Sequence, residues 1–239
     1  MVVGTSARRP DRGHLRNDLR VRGNCRPGDN DFRLGGFVKL RHRIVLVLGG
    51  AKSGKSRFAV DIALRKSGRV LFVATAEPGD PEMRARIEAH RRERPADWCL
   101  LEAPLRVGQS LAGHLDGVRT VIVDCLSMLV ANIILSGQAV TFSGLEPDAG
   151  LEAVRREIEE IVRILSNYRV CCVVVSNEVG MGIVPDNALA RRYRDALGLA
   201  NQLLAREAEE VFLMVAGVPL QIKTGGKFPV LPGSVSEPG

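Results

Sequence analysis

Gly49-Gly50-Ala51-Lys52-Ser53-Gly54-Lys55-Ser56 fits the pattern G-x-x-x-x-G-K-[ST]. Glycines let a backbone wrap closely around an anion. Successive N–H groups and a following helix N-terminus supply positive potential. In such a loop Lys55 reaches the β- and γ-phosphates, and the Ser56 hydroxyl sits on Mg²⁺. A loop of this kind needs an acidic residue at the end of another strand to help hold the metal. Val121-Ile122-Val123-Asp124 supplies one. The bland alternative for Asp124 is the N-cap of the helix expected next. Glu178, after Val173–Asn177, is a second carboxylate in such a position.

The stretch EMRARIEAHRRERPADW, residues 82–98, places His90 near Arg86, Arg91, Arg92 and Arg94. Four guanidiniums disfavour a charged imidazole. They favour a neutral, nucleophilic one and a phosphate beside it. A solvated basic helix face that happens to contain a histidine accounts for the same residues. The residues alone leave both readings open.

These groups have to be held by something, and the apolar pattern says what. Short β-branched runs fall at Ile44–Leu48, Val70–Ala74, Thr120–Val123, Val170–Ser176 and Val211–Ala216. Helical stretches are expected between and after them, at 55–66, 81–94, 126–136, 150–167 and 187–208. Continuous apolar strands separated by helices predict an α/β fold, a mostly parallel sheet with helices on both faces. The phosphate-loop motif follows a predicted strand and opens a predicted helix, the context that makes it credible. Residues 1–40 show no sustained period and read as a disordered basic extension. Residues 41–224 read as one nucleotide-binding domain, and 225–239 as a flexible tail.

The chain has 239 residues and a formal charge of +7. Residues 1–42 hold ten Lys/Arg against four Asp/Glu, which leaves the other 197 residues at 24 against 23. Basicity belongs to the N-terminal stretch, and the body is near neutral. With aromatics at 4%, there is little for base-stacking platforms, so no nucleic-acid partner is expected. The five cysteines include no C-x-x-C and read as buried reduced thiols of a cytoplasmic protein. No apolar run approaches the ~20 residues of a membrane span, so no stable membrane insertion is expected.

GGAKSGKSRFA, VATAE, the E-M-x-x-R-I-x-x-H-x-x-x-R-P-x-x-W stretch and VSNEVGMGIVPDNALARRYRDALGLANQ together resemble one family. It is the bifunctional adenosylcobinamide kinase/adenosylcobinamide-phosphate guanylyltransferases of cobalamin biosynthesis. The resemblance runs from about Arg43 to Lys223, and NEVGMGIVP (177–185) is its most specific block. It implies a RecA-like P-loop NTPase fold and a homotrimer with active sites between subunits. It implies a corrinoid substrate, GTP and ATP as nucleotides, and Mg²⁺. The family's guanylylated histidine falls on His90, with Lys55 as the other catalytic group. Its nucleotide contacts fall on Gly49–Ser56, on Ala74, Thr75 and Ala76, on Arg91, Arg92, Glu93 and Arg94, on Glu102 and on Asp124. The position of Asp124 is often Glu in relatives, so this chain carries a shorter side chain there. Ser56 and Asp124 are the implied metal ligands.

Two other readings fit parts of the sequence. A plain P-loop small-molecule kinase would leave His90 idle. A RecA-like nucleic-acid ATPase would use the basic N-terminal stretch, against the near-neutral body.

Overall fold

Arg43–Gly49 (RIVLVLG) hides every residue after Arg43, so both its faces have to be covered. It is the central strand, β2, of the computed structural model. The structure describes residues 20–22, 43–77, 79, 81–92, 94–136, 140–141, 144–145 and 149–225. The other strands are β1 (Arg20–Arg22), β3 (Arg69–Ala74), β4 (Cys99–Glu102), β5 (Val118–Asp124), β8 (Cys171–Val175), β9 (Glu210–Val215) and β10 (Val218–Lys223). They form one sheet in the order β1-β4-β3-β5-β8-β2-β9-β10, while β6 (Val140–Thr141) and β7 (Gly144–Leu145) make a separate pair. Within the large sheet only the outermost pairings, β1 on β4 and β10 on β9, are antiparallel. The α/β, mostly parallel reading therefore stands. One strand, β8, separates the strand before the phosphate loop from the strand ending in Asp124.

The helices are α1 (Lys55–Leu64), α2 (Pro81–Arg92), α3 (Val107–Leu111), α4 (Leu126–Leu135), α5 (Ala149–Leu165) and α6 (Ala188–Glu207). Ala59 and Ala63 of α1 pack on one sheet face, against Val45, Val47, Phe72, Val173 and Val175. On the other face α3 to α6 bury Leu111, Leu129, Ile158, Leu197 and Leu204 with Leu46, Leu71 and Val174. The helical spacing expected in α5 is the observed one, with Val154, Ile158, Ile161 and Leu165 buried.

The N-terminal stretch contributes more than its lack of period predicts: Val21 pairs with Leu101 at the sheet edge. The rest of 1–40, and residues 226–239, lie outside the described residues. Cys125, Cys171 and Cys172 are free thiols, as expected, whereas Cys99 is disulfide-bonded and departs from that expectation. Among the described residues no helix is long and apolar enough to cross a membrane.

Candidate nucleotide-binding and transfer site

The phosphate loop runs from Gly49, the last residue of β2, to Lys55 and Ser56 at the start of α1. A Cβ on Gly49 would stand 2.6 Å from the Met214 carbonyl oxygen and 2.7 Å from Ser53 Oγ, so no larger residue fits. Gly54 caps α1 with φ at 94°, a conformation that glycine takes without cost. The loop is braced from two sides. The Glu178 N–H donates to the Gly49 carbonyl, and the Gly217 N–H to the Ser53 carbonyl, each at 3.1 Å. Lys55 is 8% exposed. Its ammonium donates to the Gly50 carbonyl and, at 3.5 Å, to Ser53 Oγ. Acceptors of the loop itself therefore hold the cation where a phosphate oxygen would take it.

Sheet register assembles the second group. Val47 lies opposite Val175, Val175 opposite Asp124, Asp124 opposite Ala74, and Ala74 opposite Glu102. In-register neighbours point to one face, and Val47, Val175 and Ala74 pack on the α1 side. Asp124 and Glu102 thus project to the face that carries α1, at the strand ends beside the loop. Arg94, just beyond α2, lays its guanidinium over the Phe72 ring, 4.1 Å from the centroid. Burial pulls this guanidinium below its usual range, and the carboxylates of Asp124 and Glu102 counter that pull. Three residues distant in sequence, Arg94, Glu102 and Asp124, are one electrostatic cluster.

Thr75, with no exposed surface, fixes the chain at Asp124. Its N–H donates to the Asp124 carbonyl (3.2 Å). Its hydroxyl donates to the Cys125 carbonyl (2.7 Å) and accepts from the Cys125 N–H (2.8 Å). Its own carbonyl accepts from Asn132 Nδ2 of α4 (2.9 Å), which also donates to the Pro104 carbonyl (3.0 Å). Burial, with the Asp124 carboxylate beside it, pushes the Cys125 thiol up, away from a reactive thiolate.

The neighbours of Thr75 differ from it: Ala74 and Ala76 are half-buried at the strand end. His90, Arg91 and Arg92 lie in the last turn of α2, and Glu93 lies outside the described residues. Arg91 and Arg92 are exposed, and Arg91 pairs with Glu88 at 3.4 Å. Arg91, Arg94, Phe72, Trp98 and Leu100 line a cavity of about 310 Å³ beside the cluster.

A model of the CobU family, described as cobinamide kinase/cobinamide phosphate guanyltransferase, matches residues 45–222. The chain belongs to this family. It is 38% identical to the bifunctional adenosylcobalamin biosynthesis protein CobP of Pseudomonas aeruginosa PAO1 over 178 residues, covering 74% of this chain and 96% of that one. It is 37% identical over 186 residues to the bifunctional adenosylcobalamin biosynthesis protein CobU of Escherichia coli K12, covering 75% and 99%. The protein of that name from Salmonella typhimurium LT2 is 36% identical over 181 residues, with 75% and 99% covered. The CobU match thus takes in the loop, α2, the Asp124 cluster and the 177–185 block together.

Within this CobU-family chain, two contributors escape motif reasoning. Phe72 is an ordinary core residue in sequence, and only the stacked Arg94 marks it. Asn132 did leave a signal, as a lone amide in the apolar helix LSMLVANIIL.

Proposed function

We propose that the protein phosphorylates the aminopropanol hydroxyl of adenosylcobinamide with ATP or GTP, then transfers GMP from GTP to that phosphate. The product is adenosylcobinamide-GDP. The observation that carries this reading is the family match over 45–222, which includes the phosphate loop and His90 together.

The chemistry runs as two displacements at one phosphorus. An imidazole nitrogen of His90 attacks the α-phosphorus of GTP, an N–P bond forms, and pyrophosphate leaves with the electron pair of the broken P–O bond. A phosphate oxygen of adenosylcobinamide phosphate then attacks the same phosphorus, and the N–P bond breaks to regenerate the imidazole. Lys55 would exchange the Gly50 carbonyl and Ser53 hydroxyl for phosphate oxygens and neutralise the departing charge. In the kinase step the hydroxyl oxygen bonds to the γ-phosphorus as the nucleoside diphosphate leaves. That step needs positioning and electrostatics more than a protein nucleophile.

Ser56 and Asp124 offer hard oxygen donors. Among the described residues no group of three or more His, Cys, Asp or Glu gathers as a metal cage. Mg²⁺ suits that donor set, because it is commonly held by one or two protein oxygens plus nucleotide phosphates. When bound it would offset negative charge on the phosphates. Asp124, already drawn toward Arg94, would carry the protein carboxylate of that site.

A homotrimer belongs to the same reading. Val215, Val218 and Leu220, 58%, 65% and 56% exposed at the β9–β10 edge, are apolar surface that a neighbouring copy would cover. Light scattering after size exclusion tests it. We place the protein in the cytoplasm on the free thiols of Cys125, Cys171 and Cys172, with the disulfide at Cys99 running against that placement.

The deciding experiment supplies GTP labelled at the α-phosphate, denatures the protein and counts bound label. The wild type should retain label that survives alkali and is lost in acid, as a phosphoramidate does. His90→Asn should retain none, yet still phosphorylate adenosylcobinamide. An unlabelled wild type with intact kinase activity would leave the plain P-loop kinase.

A further inference from the structure

The nucleotide reading uses the α1 face: the loop, Lys55, Asp124, Glu102 and Arg94 all lie on that side or at the strand ends. An acceptor must reach the same phosphates from a side they leave open. On the opposite face α5 ends five residues before β8 begins, and α6 starts beyond the end of β8. Both helices therefore begin at the C-terminal ends of the strands, where the phosphate loop lies. Between them opens a groove of about 860 Å³, lined by Arg155 and Arg156 of α5, Arg194, Asp195 and Gln202 of α6, and Gly180.

We infer that this groove seats the corrinoid acceptor, with its hydroxyl- or phosphate-ended arm directed past Glu178 to the loop; the inference rests on the function proposed above. Position is the first argument. The Glu178 N–H holds the Gly49 carbonyl at 3.1 Å, and the Glu178 carboxylate accepts from the Gly180 N–H at 2.7 Å. One three-residue segment is therefore both a brace of the phosphate loop and a wall of the groove.

Charge is the second argument. Arg155 and Arg156 share one carboxylate, Glu152, at 3.6 Å each, and Arg194 pairs with Asp195 at 3.0 Å. Three guanidiniums face two carboxylates, which leaves a surplus of donors for carbonyl oxygens on the body of the acceptor, while the arm's phosphate meets the loop. Such exposed pairs hold weakly and exchange partners readily. The same guanidiniums and carboxylates, with the Gln202 amide, match a ring rimmed by carboxamides, which both donate and accept.

Shape is the third. Gly198 of α6 has no atom within 4 Å of where a Cβ would be, so the helix leaves open room at the groove. Met181, Ile183 and Val184, 82%, 97% and 62% exposed, stand on the segment that continues from Gly180. They offer apolar contact for the face of a macrocycle.

The test uses the full chain and two variants, Gly198→Leu, which fills the groove, and Arg194→Gln, which removes one cation. Steady-state kinetics with cobinamide as the varied substrate should show KM raised about tenfold or more in each, with KM for GTP unchanged. Equilibrium dialysis of cobinamide, followed by its visible absorbance, should show the same loss. The label retained from α-labelled GTP should equal the wild type's. A cobinamide KM within about twofold of wild type in both variants would overturn the inference. A Gly198→Leu chain that changes oligomeric state would overturn it too, by making the groove a contact between copies. A wild type that takes no label and turns over no cobinamide would instead overturn the function on which the inference rests.

Discussion

The Thr75 hydroxyl is bonded to both backbone polar groups of Cys125, at 2.8 Å from the nitrogen and 2.7 Å from the oxygen. A threonine at a strand end invites the reading of a nucleotide contact. Here its side chain faces inward and holds the peptide that follows Asp124. Thr75→Val keeps the shape but leaves the Cys125 N–H unpaired and its C=O with the Leu129 N–H alone, at about 1–3 kcal/mol of stability. It should also raise the Mg²⁺ concentration needed for half-maximal activity, because the Asp124 carboxylate loses its fixed aim. Thr75→Ser should restore both. Thermal melts and Mg²⁺ titrations of the two variants check this, and a Thr75→Val protein with wild-type Mg²⁺ dependence would rule it out.

Lys55 donates to the Gly50 carbonyl and lies within 3.5 Å of Ser53 Oγ, inside the loop it is meant to serve. Lys55→Ala should lower both phosphorylation and guanylyl transfer by about 100-fold or more, the scale of a lost transition-state donor. Ser56→Ala should impair both steps through the metal. Separate assays of the two half-reactions are the check. Guanylylation that survives Lys55→Ala while phosphorylation is lost would mean two pockets.

Glu157 of α5 accepts from the Gly108 N–H at 3.0 Å and so holds the start of α3. Burial raises its pKa above the ordinary 4.5, in spite of the N–H bonds that lower it. The folded state therefore binds this proton more tightly than the unfolded chain. Its contribution to stability is greatest at and below about pH 4.5 and declines as pH rises toward the folded pKa. Glu157→Gln keeps an acceptor and removes the titration. Urea unfolding across that window should show a slope in the wild type that the variant lacks.

Lys223, 4% exposed at the end of β10, donates to the Ala205 and Arg206 carbonyls at 2.7 and 3.0 Å. These are carbonyls of the last turn of α6, where a cation also meets the negative end of the helix. Lys223→Met should cost about 1–3 kcal/mol, read as a lower urea midpoint with nucleotide affinity unchanged. An unchanged midpoint would show the carbonyls finding other donors.

The chemistry was legible in the chain to different depths. Gly49–Ser56 reads as a phosphate loop because its residues are contiguous and its strand and helix flank it. The cluster of Arg94, Glu102 and Asp124 has no such signature. It is made by register across three strands, and only the family resemblance pointed to all three. The short strand Cys99–Glu102 has four residues, too few to show a period. Val218–Lys223 contains Pro219, which demotes a run to an edge strand, and β10 does lie at the sheet edge. Thr75 shows the limit most plainly, since the side on which a strand-end hydroxyl finds its partners depends on packing that no local pattern encodes.

The row from Val47 through Val175, Asp124 and Ala74 to Glu102 has a consequence for how such a protein can change over generations. Alternate residues of a strand point to opposite faces, so parity decides which side the carboxylate occupies. One residue inserted between Val118 and Asp124 would turn Asp124 toward α4 to α6 and away from the loop, while two would return it to the right side one pleat further on. Outside the phosphate loop, whose G-x-x-x-x-G-K-[ST] spacing is itself fixed, the connecting segments carry no such arithmetic. Descent with altered length is thus open to those other segments and closed to the strands, and a designer grafting new loops onto this scaffold inherits the same rule.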